Sequence, residues 1–528
     1  MFSLPAFSFL IAKNPFYPYN CCMNPRPYIL SLLSGILLFL SFPNVLDPVF
    51  PAWSGYLAWV ALIPLFFAIN KQTFPRALLL GFITGFIFFA GLLYWVLYIK
   101  ELGLLAWPLW LFLSCYLALY VALFASLLRF APLLAAPFLW VVFEYLRGIL
   151  LTGFPWGLLG YSQYKLAPLL QLASLTGVYG VSFVVVLVNA GIASFLIKIK
   201  EGKAAFLGPV LAALALIAVF TYGLVELNGM EAKLPLKPGV KQDSVSVCVL
   251  QGNILQDVKW DEKFTEENFN TYKKLALSNK TQVDLYLWPE SASAVFLRSE
   301  KKYSALVSDI AKATDAPQFV GTPDAVFNKA GLDKLYVAAF LYDRQGSFTG
   351  AYNKTHLVPF GEYIPLREVL KGFSKLEYGV TDYTPGSGTT IFTAGKRFSP
   401  LICYEVIFPD IARERANGGA EYLVNITNDS WYQSSAMPYQ HFSMLAFRAV
   451  ETRLNIARAA NTGISGYVNY KGEIAAATQI FEKTKLSFAM PVIPKRSTLY
   501  MRIGDIFVCF CAVLGLASFF VKRKVSHV

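Results

Sequence analysis

The sequence has few charged residues for its length. Of its 528 residues, 15% are charged, whereas 56% are hydrophobic and 16% are aromatic. Soluble globular domains carry about 25% charged residues, so this composition excludes a protein that is soluble along its whole length. Long apolar runs fill residues 27–225 and 503–521, while residues 234–496 have the composition of an ordinary soluble domain. The sequence therefore indicates a membrane protein with one large extramembrane domain.

Cysteine and histidine are also scarce. The seven cysteines follow no disulfide-scaffold spacing and no Cys-x-x-Cys pattern, and there are only three histidines. These absences argue against a disulfide framework and against a metal centre, so we expect no metal and no cofactor. The sequence has no internal repeat and no low-complexity stretch either, which excludes a repeat architecture.

The apolar runs are long enough to cross a membrane as helices. A crossing needs about 20 apolar residues, and lipid offers no partner for unpaired backbone groups, so each crossing has to be helical. The sequence predicts eight spans, at residues 27–45, 52–70, 77–98, 104–128, 131–149, 169–197, 205–226 and 502–521.

Basic residues are distributed unevenly between the two sides of these spans. Three lie in the short loops of one side, at Lys100, Arg147 and Lys165. Eleven lie on the other side, at Lys13, Arg26, Lys71, Arg76, Arg129, Lys198, Lys200, Lys203, Lys522, Arg523 and Lys524. The positive-inside rule then places both termini in the cytoplasm and the middle domain outside. Since this topology signal supplies much of the net charge of +13, we expect no nucleic-acid partner.

The chain divides into four predicted regions. An N-terminal extension (1–26) precedes a membrane domain of seven spans (27–233), an extramembrane domain (234–496), and an eighth span with a basic tail (497–528). The apolar start of the extension is too short to cross a membrane and lacks a basic n-region, so it makes a poor signal peptide. Met23 is an alternative start.

The extramembrane domain alternates strand-like and helical patterns. Strands are predicted at Ser244–Leu250, Val283–Trp288, Leu335–Tyr342, Phe398–Cys403, Tyr422–Ile426, Asn455–Ala460 and Gly466–Tyr470. Helical periodicity is clearest at Glu266–Leu277, Lys302–Lys312, Phe408–Asn417 and Gln440–Arg453. Short strands separated by helices predict an α/β fold with helices packed on the sheet faces.

A carboxylate, an amine and a thiol each follow a predicted strand. Glu290, Lys354 and Cys403 all stand just past strand ends, where α/β sheets gather ligand-binding groups. Together they form an acyl-transfer set: the carboxylate takes the thiol proton, and the ammonium stabilises the thiolate and the oxyanion. Taken singly, each has a structural explanation, as a core thiol, a helix-capping carboxylate or a solvated lysine.

The sequence around each residue favours the catalytic interpretation. Leu287–Ser291, Asn353–Glu362 and Leu401–Glu405 resemble the Glu, Lys and Cys motifs of the nitrilase superfamily, in that family's chain order. Further segments are similar to its membrane-embedded branch, the apolipoprotein N-acyltransferase family: Glu144–Arg147, Thr152–Gln163, Gln251–Ile254, Lys259–Glu262, Pro359–Pro365, Asn428–Trp431, Arg448–Glu451 and Arg458–Ser465. The resemblance implies an αββα sandwich inserted between spans seven and eight.

The resemblance also implies a two-step reaction. Cys403 would attack the sn-1 ester of a phospholipid, giving a thioester and a lysophospholipid. The α-amino group of an S-diacylglyceryl cysteine, at the N-terminus of an apolipoprotein, would then take the acyl chain. Glu290 would serve as general base, and Lys354 with the backbone N–H of Tyr404 would form the oxyanion hole.

Further residues are predicted to support the three catalytic candidates or to contact the substrates. Glu362 and Glu405 would orient Lys354 and the substrate amine, or make purely structural hydrogen bonds. The residues assigned to substrate or lipid binding are Trp156, Trp260, Phe296, Tyr363, Pro365 and Trp431. Ala292–Leu297 and Tyr363–Leu370 are interpreted as arms that rest on the membrane and admit acyl chains, with local packing as the alternative.

An ionisable residue inside a predicted span also needs an explanation. Glu144 lies in the fifth span, where a charge is costly without a partner, and Arg147 is one helical turn away. Two roles are compatible with this position: a structural ion pair between Glu144 and Arg147, or a contact with a lipid headgroup.

Two other functions are compatible with parts of the sequence. A membrane-anchored amidase would use the same three residues on a small soluble substrate, but it would need a single span. A transporter would carry polar residues throughout its helices, which these spans do not. The family resemblance implies a monomer in the inner membrane of a Gram-negative-type bacterium, with the catalytic domain in the periplasm.

Overall fold

A computed structural model describes residues 24–44, 54–232, 243–328, 331–365, 382–493 and 497–525. Residues 24–232 and 497–525 are called the helical part below, and residues 243–493 are called the sandwich. Most of the predicted N-terminal extension, residues 1–23, lies outside the described residues.

The helical part contains long apolar helices. Five segments are long and apolar enough to cross a membrane: Phe74–Leu92, Lys100–Leu128, Leu133–Thr152, Val178–Lys200 and Leu207–Met230. Shorter apolar helices include Arg26–Leu40 and Ile506–Phe520. Five predicted spans thus correspond to long helices, and the total of eight stays a prediction.

The α-helices before the sandwich are α1 (Arg26–Leu40), α2 (Ser54–Leu57), α3 (Ile63–Ile69), α4 (Phe74–Leu92), α5 (Ala106–Leu128), α6 (Ala136–Ile149), α7 (Ala167–Leu170), α8 (Ala173–Thr176), α9 (Val178–Lys200) and α10 (Leu207–Ala232). After the sandwich come α16 (Leu499–Ile503) and α17 (Ile506–Val525).

The predicted span 52–70 is not one continuous helix. It is divided into α2 and α3, and the buried side chain of Asn189 on α9 fits against the break. Its Oδ1 accepts the N–H of Leu62 at 2.9 Å, and its Nδ2 donates to the carbonyl of Ala58 at 2.9 Å. A broken helix is tolerated at membrane depth when protein groups pair the freed backbone, and Asn189 meets that requirement.

Two six-stranded sheets form the sandwich. The strands are β1 (Ser244–Gln251), β2 (Leu285–Leu287), β3 (Gln318–Asn328), β4 (Gly331–Tyr342), β5 (Phe348–Asn353), β6 (Phe392–Ala394), β7 (Lys396–Ile402), β8 (Tyr422–Thr427), β9 (Asn455–Ala460), β10 (Gly466–Val468), β11 (Ile474–Ala477) and β12 (Thr484–Pro491). The first sheet has the order β12-β1-β2-β3-β4-β5, and the second has the order β11-β10-β9-β8-β7-β6.

Apolar side chains from both sheets fill the space between them. Val247 and Leu285 of the first sheet and Val424 of the second are fully buried in one core. The rings of Phe319 and Phe398 meet edge to face across it, 5.3 Å apart. The packing confirms the predicted α/β class and the two-sheet sandwich.

Helices cover the outer face of each sheet. The sandwich helices are α11 (Gln256–Lys259), α12 (Thr265–Leu277), α13 (Lys301–Thr314), α14 (Pro409–Asn417) and α15 (Met437–Thr452). Phe269 of α12 and Val307 of α13 pack against the first sheet. On the second sheet, Leu445 of α15 belongs to an apolar cluster that also contains Tyr161 and Leu170 of the helical part. The second sheet and the helical part therefore share one continuous core.

Candidate active site

The predicted carboxylate and amine meet at the edge of the first sheet where β2 and β5 end, with β3 and β4 between these two strands. Lys354 follows β5 directly, and its fully buried Nζ lies 3.3 Å from Oε1 of Glu290. The same Nζ lies 2.6 Å from Oε1 of Glu362, a predicted support. The structure thus places one ammonium between two carboxylates that come from different loops, which is the arrangement expected of a site that binds a developing negative charge.

The charge state of Lys354 follows from its neighbours. Burial opposes its charge, but Glu362 and Glu290 outweigh burial and raise the pKa of Lys354 well above its ordinary value. Burial also raises the pKa of Glu362, although Lys354 opposes that shift. Lys354 is therefore an ammonium at neutral pH, held in a fixed position by Glu362.

Backbone contacts fix the position of Glu290. The N–H of Asn428 donates to its Oε2 at 2.9 Å, so the second sheet reaches the carboxylate from the side opposite Lys354. A Cβ at Gly321 would lie 2.7 Å from the Glu290 Cα, so only glycine lets β3 pass this close. The Asn428 N–H thus joins the carboxylate to the end of β8, while Gly321 lets β3 pack against the Glu290 backbone.

Lys259 is a buried residue of the site that sequence reasoning did not single out. Its Nζ donates to the backbone carbonyl of Glu290 at 3.0 Å. Burial lowers the pKa of Lys259 to about 7, while Glu290 and Cys403 act in the opposite direction. The sequence did carry a signal for Lys259, because it begins the Lys259–Glu262 segment that resembles the family.

Cys403 stands at the carboxyl end of β7 with a φ of 48°, in the left-handed region that few residues other than glycine adopt. Its side chain is partly exposed. Burial raises the pKa of the thiol above its ordinary value, and Glu290 adds to this shift while Lys354 opposes it. The resting group is therefore a thiol, and its attack on a carbonyl requires a base to take the proton.

Both carboxylate oxygens of Glu405 accept hydrogen bonds from other groups of the protein. Its Oε1 accepts the hydroxyl of Tyr352 at 2.6 Å and the N–H of Thr355 at 2.7 Å, and its Oε2 accepts the N–H of Ile402 at 2.6 Å. These contacts tie the loop after Lys354 to the end of β7. They favour the structural alternative for Glu405 over contact with a substrate amine.

Tyr404 follows Cys403, the predicted nucleophile, and is buried. Its hydroxyl donates to the carbonyl of Gly153 in the helical part at 3.3 Å. Its backbone N–H lies in the first turn of the short 3-10 helix Cys403–Ile407, where N–H groups have no partner within the helix.

The predicted substrate contacts differ in exposure. Trp260 is 45% exposed, whereas Trp156 is 2% exposed and donates to Oε1 of Gln440 at 2.8 Å. Trp156 is thus a packing residue between the two parts. The partly exposed candidates are Phe296, Tyr363, Pro365 and Trp431.

The two predicted arms are described only in part. In the first, Ala292 and Leu297 are buried in the sandwich core, which favours the local-packing alternative for these two residues, and the ring of Phe296 is partly exposed. In the second, Ile364 is buried, and residues 366–370 lie outside the described chain.

A cleft of about 350 Å³ opens between the helical part and the sandwich. Lys100 from the helical part and Gln256, Asp257 and Trp431 from the sandwich line it. Oε1 of Gln256 accepts the side-chain amide of Asn428 at 3.1 Å, and Asn428 in turn contacts Glu290. The cleft is therefore connected to Glu290 through Gln256 and Asn428.

Glu144 and Arg147 hold the loop between α6 and α7. Oε1 of Glu144 accepts the N–H of Leu159 at 2.6 Å, and Arg147 donates to the carbonyl of Phe154 at 3.0 Å. In the described residues no salt bridge joins the two side chains, but both are buried and their opposite charges attract each other, so the predicted partnership is electrostatic rather than a direct contact. Their contacts support a structural role.

Known proteins resemble the chain over both parts. Residues 34–191 match the apolipoprotein N-acyltransferase N-terminal domain family, and residues 246–491 match the carbon-nitrogen hydrolase family. The chain is 38% identical to the apolipoprotein N-acyltransferase of Geobacter metallireducens, covering 95% of this chain and 96% of that protein. The corresponding protein of Haemophilus influenzae is 30% identical, over 94% of this chain and 96% of its own length. A solved Nesterenkonia amidase of the nitrilase superfamily aligns at 19% identity with a TM-score of 0.39, covering 52% of this chain and 99% of that one.

Proposed function

This chain belongs to the apolipoprotein N-acyltransferase family, and we propose that it transfers the sn-1 acyl chain of a phospholipid to the α-amino group of a diacylglyceryl-apolipoprotein. The observation that carries the proposal is the buried Lys354 ammonium between Glu290 and Glu362. A fixed cation beside a carboxylate and a thiol suits acyl transfer, since one group takes a proton while another stabilises the oxyanion.

In the first step, Glu290 takes the Cys403 proton as the sulfur bonds to the sn-1 carbonyl carbon. Lys354 Nζ and the Tyr404 N–H hold the oxyanion of the tetrahedral intermediate. The intermediate collapses by breaking the ester C–O bond, and Glu290 returns the proton to the leaving lysophospholipid oxygen. Cys403 is left as a thioester.

In the second step, the neutral α-amino group attacks the thioester carbon. Glu290 takes a proton from that nitrogen, the C–S bond breaks, and the thiolate recovers the proton. The product is an amide, and the enzyme returns to its starting state. The raised pKa of Cys403 fits this cycle, because the thiol is regenerated protonated.

Substrate entry is assigned to the partly exposed apolar groups around the site. Phe296, Tyr363 and Pro365 receive the acyl chains, while Trp260 and Trp431 contact the headgroup or the acceptor. The cleft lined by Gln256 and Trp431 admits the acceptor, because both parts of the chain line it and Gln256 is linked to Glu290 through Asn428.

We further propose that the chain is an inner-membrane monomer of eight spans. Both termini lie in the cytoplasm, and residues 234–496 form the periplasmic catalytic domain. The distribution of basic residues supports this topology, and the apolar cluster shared by α15 and the helical part supports a sandwich fixed against the membrane.

The proposal is tested with a phospholipid that carries different acyl chains at sn-1 and sn-2. The full-length protein is incubated with it in mixed micelles, and the Cys403 peptide is analysed by mass spectrometry. We expect the sn-1 acyl mass on Cys403, its loss when a diacylglyceryl peptide is added, and no adduct in Cys403→Ser, because an alcohol is a much weaker nucleophile at neutral pH.

Two results would contradict the proposal. The first is turnover retained by Cys403→Ser, and the second is the sn-2 chain on Cys403. Release of free fatty acid without transfer to the peptide would favour a hydrolase of the amidase type.

A further inference from the structure

Behind Cys403 lies a fully buried group of three polar side chains that the reaction scheme leaves unused. Arg458 Nη2 lies 2.8 Å from Oδ2 of Asp429 and 3.1 Å from Nδ1 of His441. His441 Nε2 lies 3.2 Å from the backbone carbonyl oxygen of Cys403. The group thus reaches, through His441, the peptide unit that follows the proposed nucleophile.

The contacts define the tautomer of His441. A carbonyl oxygen can only accept a hydrogen bond, so Nε2 carries the proton and donates it. Nδ1 then accepts from the Arg458 guanidinium. Burial and Arg458 lower the pKa of His441, in agreement with a neutral ring. Burial opposes the charge of Asp429, but the Arg458 guanidinium and the hydrogen bond from the Thr427 hydroxyl outweigh it and lower the pKa of Asp429 to about 2, so this carboxylate balances the guanidinium.

The hydrogen bond from His441 falls on a peptide unit with a specific task. The Cys403 carbonyl and the Tyr404 N–H belong to one planar unit, so fixing the carbonyl fixes the direction of the N–H. A donor on the carbonyl also polarises the unit and makes its N–H a better donor. Because Cys403 is in the left-handed region, its backbone needs such an outside contact to stay in place.

The helical part holds the His441 ring from the other side. Trp156 lies against it, with ring centres 5.7 Å apart and planes tilted by 30°. The preceding residue, Gln440, accepts hydrogen bonds from Trp95 at 3.2 Å and from Trp156 at 2.8 Å. The ring is therefore fixed by both parts of the molecule.

We propose that His441 is a positioning residue of the oxyanion hole: it orients and polarises the Cys403–Tyr404 peptide so that the Tyr404 N–H meets the oxyanion. This inference rests on the proposed function, in which that N–H and Lys354 share the oxyanion. His441 itself contacts no reacting atom.

The test compares two reactions of the same thiol. Iodoacetamide alkylates Cys403 by direct displacement, which forms no oxyanion, whereas a water-soluble activated ester acylates it through a tetrahedral oxyanion. His441→Phe keeps a ring against Trp156 but loses the donor, and His441→Gln keeps an N–H near the Nε2 position. Each reaction is followed by mass spectrometry of the Cys403 peptide in the full-length protein.

For His441→Phe we expect acylation to fall about 10- to 100-fold, somewhat less than the loss of a whole oxyanion-hole donor. Alkylation should stay within about twofold of wild type, since thiol access and basicity are unchanged. His441→Gln should recover most of the acylation rate. Equal losses in both reactions, unchanged acylation in His441→Phe, or a folded His441→Gln as slow as His441→Phe would each overturn the inference.

A further measurement, acylation of wild-type Cys403 by phospholipid, separates this inference from the proposed function. If phospholipid leaves wild-type Cys403 unmodified while the soluble ester acylates it, the donor assignment fails. The effect of His441 on the soluble ester still decides the positioning role.

Discussion

The helices that cover the two sheets differ in what lies on their outer side. On the first sheet, α13 buries Val307, Ile310 and Ala311, and many of its polar residues face solvent. On the second sheet, α15 is buried along nearly its whole length. Polar residues on a helix usually mark its solvent face, but on α15 they bind the sheet and the helical part. The polar face of α15 is therefore an interface.

The same division runs through the candidate site. The loops of the first sheet contribute Glu290 and Lys354, while the second sheet contributes Cys403. The proposed base and oxyanion-binding lysine thus belong to the half with a solvent-facing cover, and the proposed nucleophile belongs to the half fixed against the helical part. Changes in the two halves should have different consequences.

The largest effect is expected for Glu290 of the first sheet, the proposed base for the Cys403 thiol of the second sheet. Glu290→Gln keeps the side-chain size but removes the base, so thioester formation should fall on the order of 10²- to 10⁴-fold. The rate is measured by mass spectrometry of the Cys403 peptide, with the exposed Glu300→Gln as the matched control. Normal acylation by Glu290→Gln would place the base elsewhere, with Glu362 as the next candidate and Glu405 after it.

A second change compares one ion pair from each helix layer. On α15, Arg448 Nη2 donates to Oε1 of Glu451 at 2.9 Å, and both side chains are fully buried. Arg448→Met leaves a buried carboxylate without its cation, which costs about 3–5 kcal/mol. On α13, Lys302 pairs with Glu266 at an exposed site, so Lys302→Met should leave stability unchanged.

Thermal unfolding midpoints in detergent measure this comparison. A marked drop for Arg448→Met alone supports the difference between the layers. Equal midpoints for both variants would show that the polar face of α15 does not stabilise the docked sandwich.

A third change tests the lipid-facing edge of the first half. Phe296→Asp places a carboxylate where an apolar ring is proposed to meet hydrocarbon, a cost of about 2.5–3.5 kcal/mol, or on the order of 100-fold in lipid capture. The measurement is Cys403 acylation by phospholipid divided by acylation by a soluble ester, with Leu277→Asp as the control. An equal loss with both substrates would make residues 292–297 a packing element.

The smallest effect concerns pH and Lys259. Its folded pKa of about 7 lies below the ordinary value, so between pH 7 and about 10.4 the unfolded chain binds more protons than the folded chain. Stability should therefore rise with pH across this window, by about 1 kcal/mol from pH 7 to 8. Lys259→Met should remove this contribution. Unfolding midpoints of both proteins at pH 7 and 8 provide the check, and identical pH dependence would contradict it.

Much of the sandwich could be predicted because its inner strands are continuous apolar runs. β7, β8 and β9 are parallel and buried, and their predicted bounds are confirmed within two residues. β3 was not predicted because Gly321, Pro323 and Asp324 interrupt its pattern. β12 was also missed, although Leu486, Phe488 and Met490 recur at every second position, which is the pattern of a half-buried strand. The predicted span 52–70 missed a break that depends on Asn189, far along the chain.

The site shows the same limit. Glu290, Lys354 and Cys403 were identified because each follows a strand within a recognisable motif, and the structure brings Lys354 to Glu290. Glu405 was assigned jointly with Glu362, although only the contacts reveal that its oxygens bind the protein itself. His441 gave no local signal, because its partner is 38 residues away.

The side chain of Asn189 has a consequence for biogenesis. It forms hydrogen bonds with the backbone of Ala58 and Leu62. The ribosome synthesises Leu62 127 residues before Asn189. Until α9 is synthesised, the break between α2 and α3 lacks this partner, and unpaired backbone groups are costly in lipid. In the proposed eight-span topology, this early segment therefore gains its backbone partner only after a much later helix has entered the bilayer.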